Sequence, residues 1–239
     1  MNLLELQGVQ THIGAYHILH GVDLAVPKGQ LTMLLGRNGA GKTTTLRTIM
    51  GLWHASAGTV RFGGKDIAAM HTPQIAELGI AYVPESMGIF SDLTVKENML
   101  LAARSAKNAA QIDDTRLKWI FKLFPAVEKF WNHPAGKLSG GQKQMLAVSR
   151  AIVEPRELLL IDEPSKGLAP VMINNMIDAF AELKRSGVTI LLVEQNINFA
   201  QRLGDNVAVM DNGRVVHSGG MAAFSADAQL QQSLLGLAL

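Results

Sequence analysis

An α/β fold with a mainly parallel central sheet is what this sequence predicts, and three observations carry the prediction. Strand-length apolar runs alternate with helical stretches at both ends of the chain, the pattern of a parallel sheet covered by helices. One of those runs, Leu31-Thr32-Met33-Leu34-Leu35, leads directly into Gly36-Arg37-Asn38-Gly39-Ala40-Gly41-Lys42-Thr43-Thr44, which reads G-x-x-x-x-G-K-T and opens a helix. Between about residues 86 and 155 strand text gives way to helical text poor in β-branched residues and then returns, so a helical lobe is inserted into the α/β core rather than appended to it.

In chain order, residues 3–11 and 18–26 read as strands, and with 59–62 they predict an N-terminal antiparallel β subdomain. Pro27-Lys28-Gly29-Gln30 turns the chain into the strand before the glycine-rich loop, and residues 41–50 follow as a helix. Gly63-Gly64 ends the strand 59–62, and Pro84 closes a short strand at 81–83. In the lobe, a helix over 95–105 is capped by Asp92 or Thr94, one over 113–123 by Asp113 or Asp114, and a short piece follows Pro125. A longer helix spans 142–153. Strand text resumes at 158–161, followed by a helix over 170–185 stopped by Gly187, a strand over 188–193 and a short helix over 197–203. Asp211-Asn212-Gly213 is a hairpin turn between strands 207–210 and 214–217, and the tail from Met221 is helical.

The bulk properties exclude several classes of function. The chain has 239 residues, is nearly half apolar, and carries a formal net charge of +2 with no basic stripe, so nucleic acid is not an expected partner. Without cysteine it has no disulfide framework and no thiolate chemistry. No run reaches the roughly eighteen apolar residues of a spanning helix. Met1-Asn2-Leu3-Leu4-Glu5 lacks the basic-then-apolar pattern of a signal peptide. The expectation is a protein soluble by itself that reaches a membrane only through a partner. No sizeable regulatory domain is expected after the final strands. The seven histidines show no metal-ligand spacing and read as surface or edge residues.

Three stretches carry chemistry. Glycines let the backbone of 36–44 wrap phosphate oxygens, and the amides of the following helix N-terminus, aided by its dipole, point at the anion. Lys42 is placed to reach the β- and γ-phosphates and the Thr43 hydroxyl to ligate Mg²⁺, which makes ATP and Mg²⁺ the expected cofactors. Leu158-Leu159-Leu160-Ile161-Asp162-Glu163 is an apolar strand that delivers two carboxylates at its C-terminal end, where ligands of parallel sheets sit. Asp162 can hold Mg²⁺, and Glu163 can orient and deprotonate a water facing the γ-phosphate. Leu138-Ser139-Gly140-Gly141-Gln142 places a hydroxyl and amides at the start of a helix, a second anion cradle in a chain that needs only one.

These three motifs, in this order, resemble an ABC nucleotide-binding domain from end to end, with Leu138–Gln142 as its signature. The resemblance implies one domain over 1–239 with a P-loop NTPase core at 1–85 and 156–239 and the lobe at about 86–155. It also implies a head-to-tail dimer with a second ABC ATPase domain, identical or a sister chain. ATP lies between the loop of one domain and Ser139, Gly140, Gly141 and Gln142 of the other, which accounts for the second cradle. Two membrane permease subunits, an extracytoplasmic substrate-binding protein, and peripheral attachment at the cytoplasmic face of the cell membrane complete the implied assembly. The branch resembled is that of importers for branched-chain amino acids and related amides or organic acids. Tyr82-Val83-Pro84-Glu85, Ser165-Lys166-Gly167-Leu168-Ala169-Pro170 and Leu192-Val193-Glu194-Gln195-Asn196 support it, since the wider family carries Gln at position 85, Asp at 169 and His at 195.

Each departure has a physical consequence. Glu85 keeps an oxygen for Mg²⁺ or water and adds a charge. Gln195 still donates a hydrogen bond toward the γ-phosphate but cannot become cationic. Ala169 removes a carboxylate from the dimer-facing loop. Where the family stacks adenine on an aromatic upstream of the loop, the matching position is Ile13, with Tyr16 three residues on; either can serve. Lys166 reads as a phosphate or carboxylate contact or as a solvated lysine. Met87, Ile89, Phe90 and Leu93 are the candidates for a permease-docking groove, whereas Trp119, Phe121, Phe124, Phe130 and Trp131 read as lobe core. Two other readings stay open: a soluble ABC ATPase unconnected with transport, and an ATP-dependent dimerisation module with weak turnover. Export rather than import is excluded by no single residue.

Overall fold

The computed structural model of the protein describes residues 1–103 and 112–236. Strands β1 (Asn2–Ile13) and β2 (Tyr16–Pro27) form a hairpin, and β4 (Ala55–Phe62) and β5 (Lys65–Asp66) extend it into an antiparallel sheet of order β2-β1-β4-β5. The second sheet has order β10-β9-β3-β8-β7-β6. It comprises β3 (Leu31–Gly36), β6 (Ile80–Val83), β7 (Leu158–Asp162), β8 (Thr189–Glu194), β9 (Asn206–Asp211) and β10 (Arg214–Gly220). All its pairings are parallel except β9 with β10.

The continuous apolar runs follow from burial on both faces. In β7, Leu159 and Ile161 face a core layer with Met176, Ile177, Phe180 and Leu183 of α7 (Pro170–Arg185). Leu158 and Leu160 face the opposite layer with Leu46 and Ile49 of α1 (Lys42–Ile49) and with the antiparallel sheet. In α8 (Ile197–Leu203), Phe199 meets Phe180 edge to face at 6.1 Å.

Between β6 and β7 lie α3 (Val95–Ala102), α4 (Asp114–Leu123), α5 (Pro125–Lys129), a 3₁₀ turn at Ala135–Lys137 and α6 (Gly140–Ala151). Thr94 caps α3 through a reciprocal box with Glu97, whose carboxyl those hydrogen bonds hold below its ordinary range. Asp113 caps α4. The expected end of α3 at 104–105 lies outside the described residues, as do positions 237–239 of the helical tail, whose described part is α9 (Met221–Ala226) and α10 (Ala228–Leu235).

Elements that differ from the sequence reading include β4, β10 and α2 (Thr72–Glu77). β4 starts at Ala55, four residues before position 59, because Ala55-Ser56-Ala57-Gly58 has little strand propensity but pairs with β1 at Thr11 and Gln10. β10 runs past position 217 to Gly220 because Ser218 and Gly219 pair with Ala208 and Val207. α2 (Thr72–Glu77) has no counterpart in the reading: six residues with one buried side chain, Ile75, are too short to show a helical period.

Gly213 joins three elements near the phosphate loop. Its N–H donates to Ala40 O at 3.0 Å and its carbonyl accepts from His20 N at 2.9 Å, at φ +73°. A Cβ there would collide with the Ile18 carbonyl oxygen. Gly213→Ala is therefore expected to cost about 2–4 kcal/mol, combining left-handed strain with backbone displacement. A denaturant midpoint unchanged from wild type would reject this.

Candidate active site

The parallel register builds the site. Val83 pairs with Ile161 and Asp162 with Val193, so the C-terminal ends of β6, β7 and β8 stand side by side. The residues that follow them, Glu85, Glu163 and Gln195, meet there. β3 pairs with β8 on the far side and delivers the loop 36–44 to the same edge. Gly41, at φ +101°, turns that loop into α1 in a conformation only glycine adopts easily. A cavity of about 380 Å³ results, lined by Asn38, Gly39, Gly41, Lys42, Thr43 and Thr44 of the loop and by Ile18, Glu85, Glu163 and Lys166.

Lys42 is buried inside the loop. Its ammonium donates to Gly36 O at 2.8 Å and Arg37 O at 3.0 Å and lies 3.9 Å from Glu163 Oε1. Burial pulls its pKa down, opposed by Glu163, Asp162 and Glu194. Thr43 Oγ1 donates to Asp162 Oδ1 at 3.1 Å, and Tyr82 Oη donates to Asp162 Oδ2 at 3.3 Å. Asp162 is pushed up chiefly by burial, and Tyr82 is pushed up to about 12 by burial and then by Asp162. Thr43, Asp162 and Glu85 offer only oxygen donors, the set a hard divalent cation prefers.

Glu163 stands at φ +47°, a strained conformation for a residue with a side chain, and its N–H is tied to Val193 O at 2.9 Å. Gln195 Nε2 donates to its Oε1 at 2.5 Å, and Lys166 Nζ lies 3.4 Å from its Oε2. Lys166 also donates to Glu85 Oε1 at 2.5 Å, which raises its pKa. Gln195 is thus a partner of Glu163. Glu194 is buried and accepts the amides of Ser165, Gln195 and Asn196, which fixes both loops. Tyr82 and Glu194 were absent from the sequence-derived site. No local pattern distinguishes them from core residues; only the strand register brings them to Asp162 and Ser165.

The other expected residues lie elsewhere. Ser139 and Gly140 are exposed at the start of α6, and none of Ser139, Gly140, Gly141 and Gln142 lines the phosphate cavity of its own chain. Helix α6 begins at Gly140, two residues before position 142, because Ser139 and Gln142 form a capping box: Gln142 Oε1 accepts Ser139 N at 2.9 Å. Ile13 and Tyr16 pair at the tip of the β1–β2 hairpin, where Tyr16 is three-quarters exposed. On the same hairpin His12 stacks on His17 and His20 lies tilted against His17, each pair with centroids 4.1 Å apart. A second cavity, of about 730 Å³, includes Arg47, Trp53, Tyr82, Met87 and Arg150 in its wall; of the four residues expected to form a docking groove, only Met87 lines it.

The profile of the ABC transporter family matches residues 19–166, spanning the phosphate loop, Ser139–Gln142 and the Asp162-Glu163 pair. This chain belongs to the ABC transporter family. The high-affinity branched-chain amino acid transport ATP-binding protein BraG of Pseudomonas aeruginosa is 38% identical over 98% of this chain and 100% of its own length. The probable branched-chain amino acid transport ATP-binding protein LivF of Archaeoglobus fulgidus is 37% identical over 85% of this chain and 86% of its own. Among solved structures, the ADP conformation of MJ1267, an ATP-binding cassette of an ABC transporter, superposes with a TM-score of 0.83 at 25% identity, covering 97% of this chain and 98% of that one. As in other ABC cassettes, an antiparallel sheet stands beside a mostly parallel one, with helices around them. No helix among the described residues is long and apolar enough to cross a membrane.

Proposed function

We propose that the chain is the ATP-binding and ATP-hydrolysing subunit of an ABC importer for branched-chain amino acids or related small amides or organic acids. The observation that carries this reading is the meeting, at one sheet edge, of Lys42 with Glu163 at 3.9 Å and of Thr43 with Asp162 at 3.1 Å. Lys42 and the amides of 36–44 bind the β- and γ-phosphates. Thr43, Asp162 and Glu85 would hold Mg²⁺, which when bound would neutralise phosphate charge. Glu163 accepts the proton of the attacking water; Gln195 fixes one of its oxygens and leaves the other to take that proton. Ile13 or Tyr16 covers the adenine.

Ser139, Gly140, Gly141 and Gln142 act on ATP held by an opposing ABC domain, which the exposure of Ser139 and Gly140 and the absence of all four from their own cavity support. The 730 Å³ groove receives a permease segment: its wall is mainly apolar, Met87 included, with Arg47, Arg150 and Arg156 also in it. Two permease subunits carry the assembly at the cytoplasmic face, and an extracytoplasmic binding protein supplies substrate. The names of BraG and LivF support the substrate class.

The test is reconstitution with two permease subunits and a binding protein in liposomes. ATP turnover is expected to rise when the binding protein carries a branched-chain amino acid, with uptake of that amino acid. Turnover indifferent to every amino acid offered would reject the reading. Titration of a fluorescent ATP analogue into Ile13→Ala and Tyr16→Ala assigns the adenine contact; unchanged affinity in both rejects the hairpin tip.

A further inference from the structure

Lys166 connects two carboxylates that come from different parts of the chain. Glu85 lies in the loop after β6, Glu163 at the end of β7, and the Lys166 ammonium reaches both, at 2.5 Å and 3.4 Å. All three line the phosphate cavity. The lysine side chain is just over half exposed, so solvent and ligands reach it, whereas Glu163 is almost covered. Lys42 is bound to the carbonyls of its own loop and touches Glu163 only at 3.9 Å. Among the described residues Lys166 is therefore the cation paired with Glu85, and it shares the offset of Glu163.

A bridging ammonium does for these carboxylates what a divalent cation would do: it neutralises two like charges that would otherwise repel. We infer that Lys166 is a built-in stand-in for the divalent cation. It clamps Glu85 to Glu163 in the nucleotide-free site and releases Glu85 when the metal–nucleotide complex enters. The inference rests on the nucleotide reading of this cavity and adds to it a residue that sets how strongly metal and nucleotide depend on one another.

Opposite signs follow from one cause. Without the ammonium the cavity is more negative, so ATP free of metal is repelled more and Mg²⁺ is attracted more. A unit charge about 4 Å away in a water-rich site is worth about five-fold in each direction. A lysine that merely supported the loop would move both affinities the same way.

The experiment uses the full chain and a fluorescent ATP analogue, titrated in EDTA, and then Mg²⁺ titrated into the analogue-bound protein. In Lys166→Met, analogue binding in EDTA is expected to weaken about five-fold, and the half-saturating Mg²⁺ concentration to fall about five-fold. Lys166→Arg, which keeps the charge, is expected to stay within about two-fold of wild type in both. The clamp is overturned if both constants in Lys166→Met are unmoved or shift together. Lys42→Met separates the two levels of inference. If it abolishes analogue binding while Lys166→Met changes neither constant, only the clamp fails; if it leaves binding intact, the nucleotide reading fails and the clamp with it.

Discussion

Glu163→Gln is expected to lower steady-state ATP turnover by about 10²–10⁴-fold while leaving ATP bound. The change is isosteric, so packing at this nearly buried position is kept. The amide oxygen can still accept from Gln195 Nε2, which now bonds Glu163 Oε1 at 2.5 Å. What is lost is the second carboxylate oxygen, the one facing Lys166 and the cavity, and with it the proton acceptor. The strained backbone at φ +47° and its tie to Val193 O are unaffected, so the loss reports chemistry rather than folding. ATP that cannot be hydrolysed should hold two domains together, and a dimer dependent on ATP is expected on gel filtration. Phosphate release measured under saturating ATP decides the matter: a variant that keeps most of its turnover shows that another group is the base.

Lys42→Met is expected to weaken ATP binding about 100-fold, the effect of losing one charged, hydrogen-bonded contact to phosphate. It should also destabilise the nucleotide-free protein by about 3 kcal/mol. The stem of methionine fills the same channel, so the cost is electrostatic. Gly36 O and Arg37 O lose their ammonium donor, and Asp162, Glu163 and Glu194 lose a nearby cation that offsets their charge. Burial pulls the Lys42 pKa down, which shows that holding this charge inside the loop is itself costly. The three carboxylates offset part of that cost, and removing one side of such a buried balance is more damaging than replacing all of it. Calorimetric titration with ATP and a urea midpoint measure the two effects separately.

Most of the architecture was legible because its determinants are local. β3, β7 and β8 are buried on both faces, so their sequences are unbroken apolar runs. Thr94, Asp113 and Asn212-Gly213 act within a few residues of themselves, as caps and turn. Elements whose cause is distant were misread. Ala55–Gly58 is strand because β1 lies beside it, and α2 is too short to carry a period. Asn98 is another such case: fully buried, it bonds both Phe90 N and Phe90 O and pins the loop before α3, which nothing near position 98 announces.

The candidate site divides along the same line. The phosphate loop, the Asp162-Glu163 pair at a strand end and the Ser139–Gln142 cradle are contiguous words, and the sequence alone determined their types and their order. Which of them share a cavity was decided by the register of β6, β7 and β8, which sets three strand ends in a row. That register brings Glu85, Glu163 and Gln195 together, places Tyr82 on Asp162, and leaves Ser139 outside its own chain's cavity. It also turns Lys166, equally readable as a solvated lysine, into a bridge between two carboxylates 78 positions apart in sequence. Side-chain chemistry is written residue by residue, but the distance between two charges is fixed only when parallel strands pair.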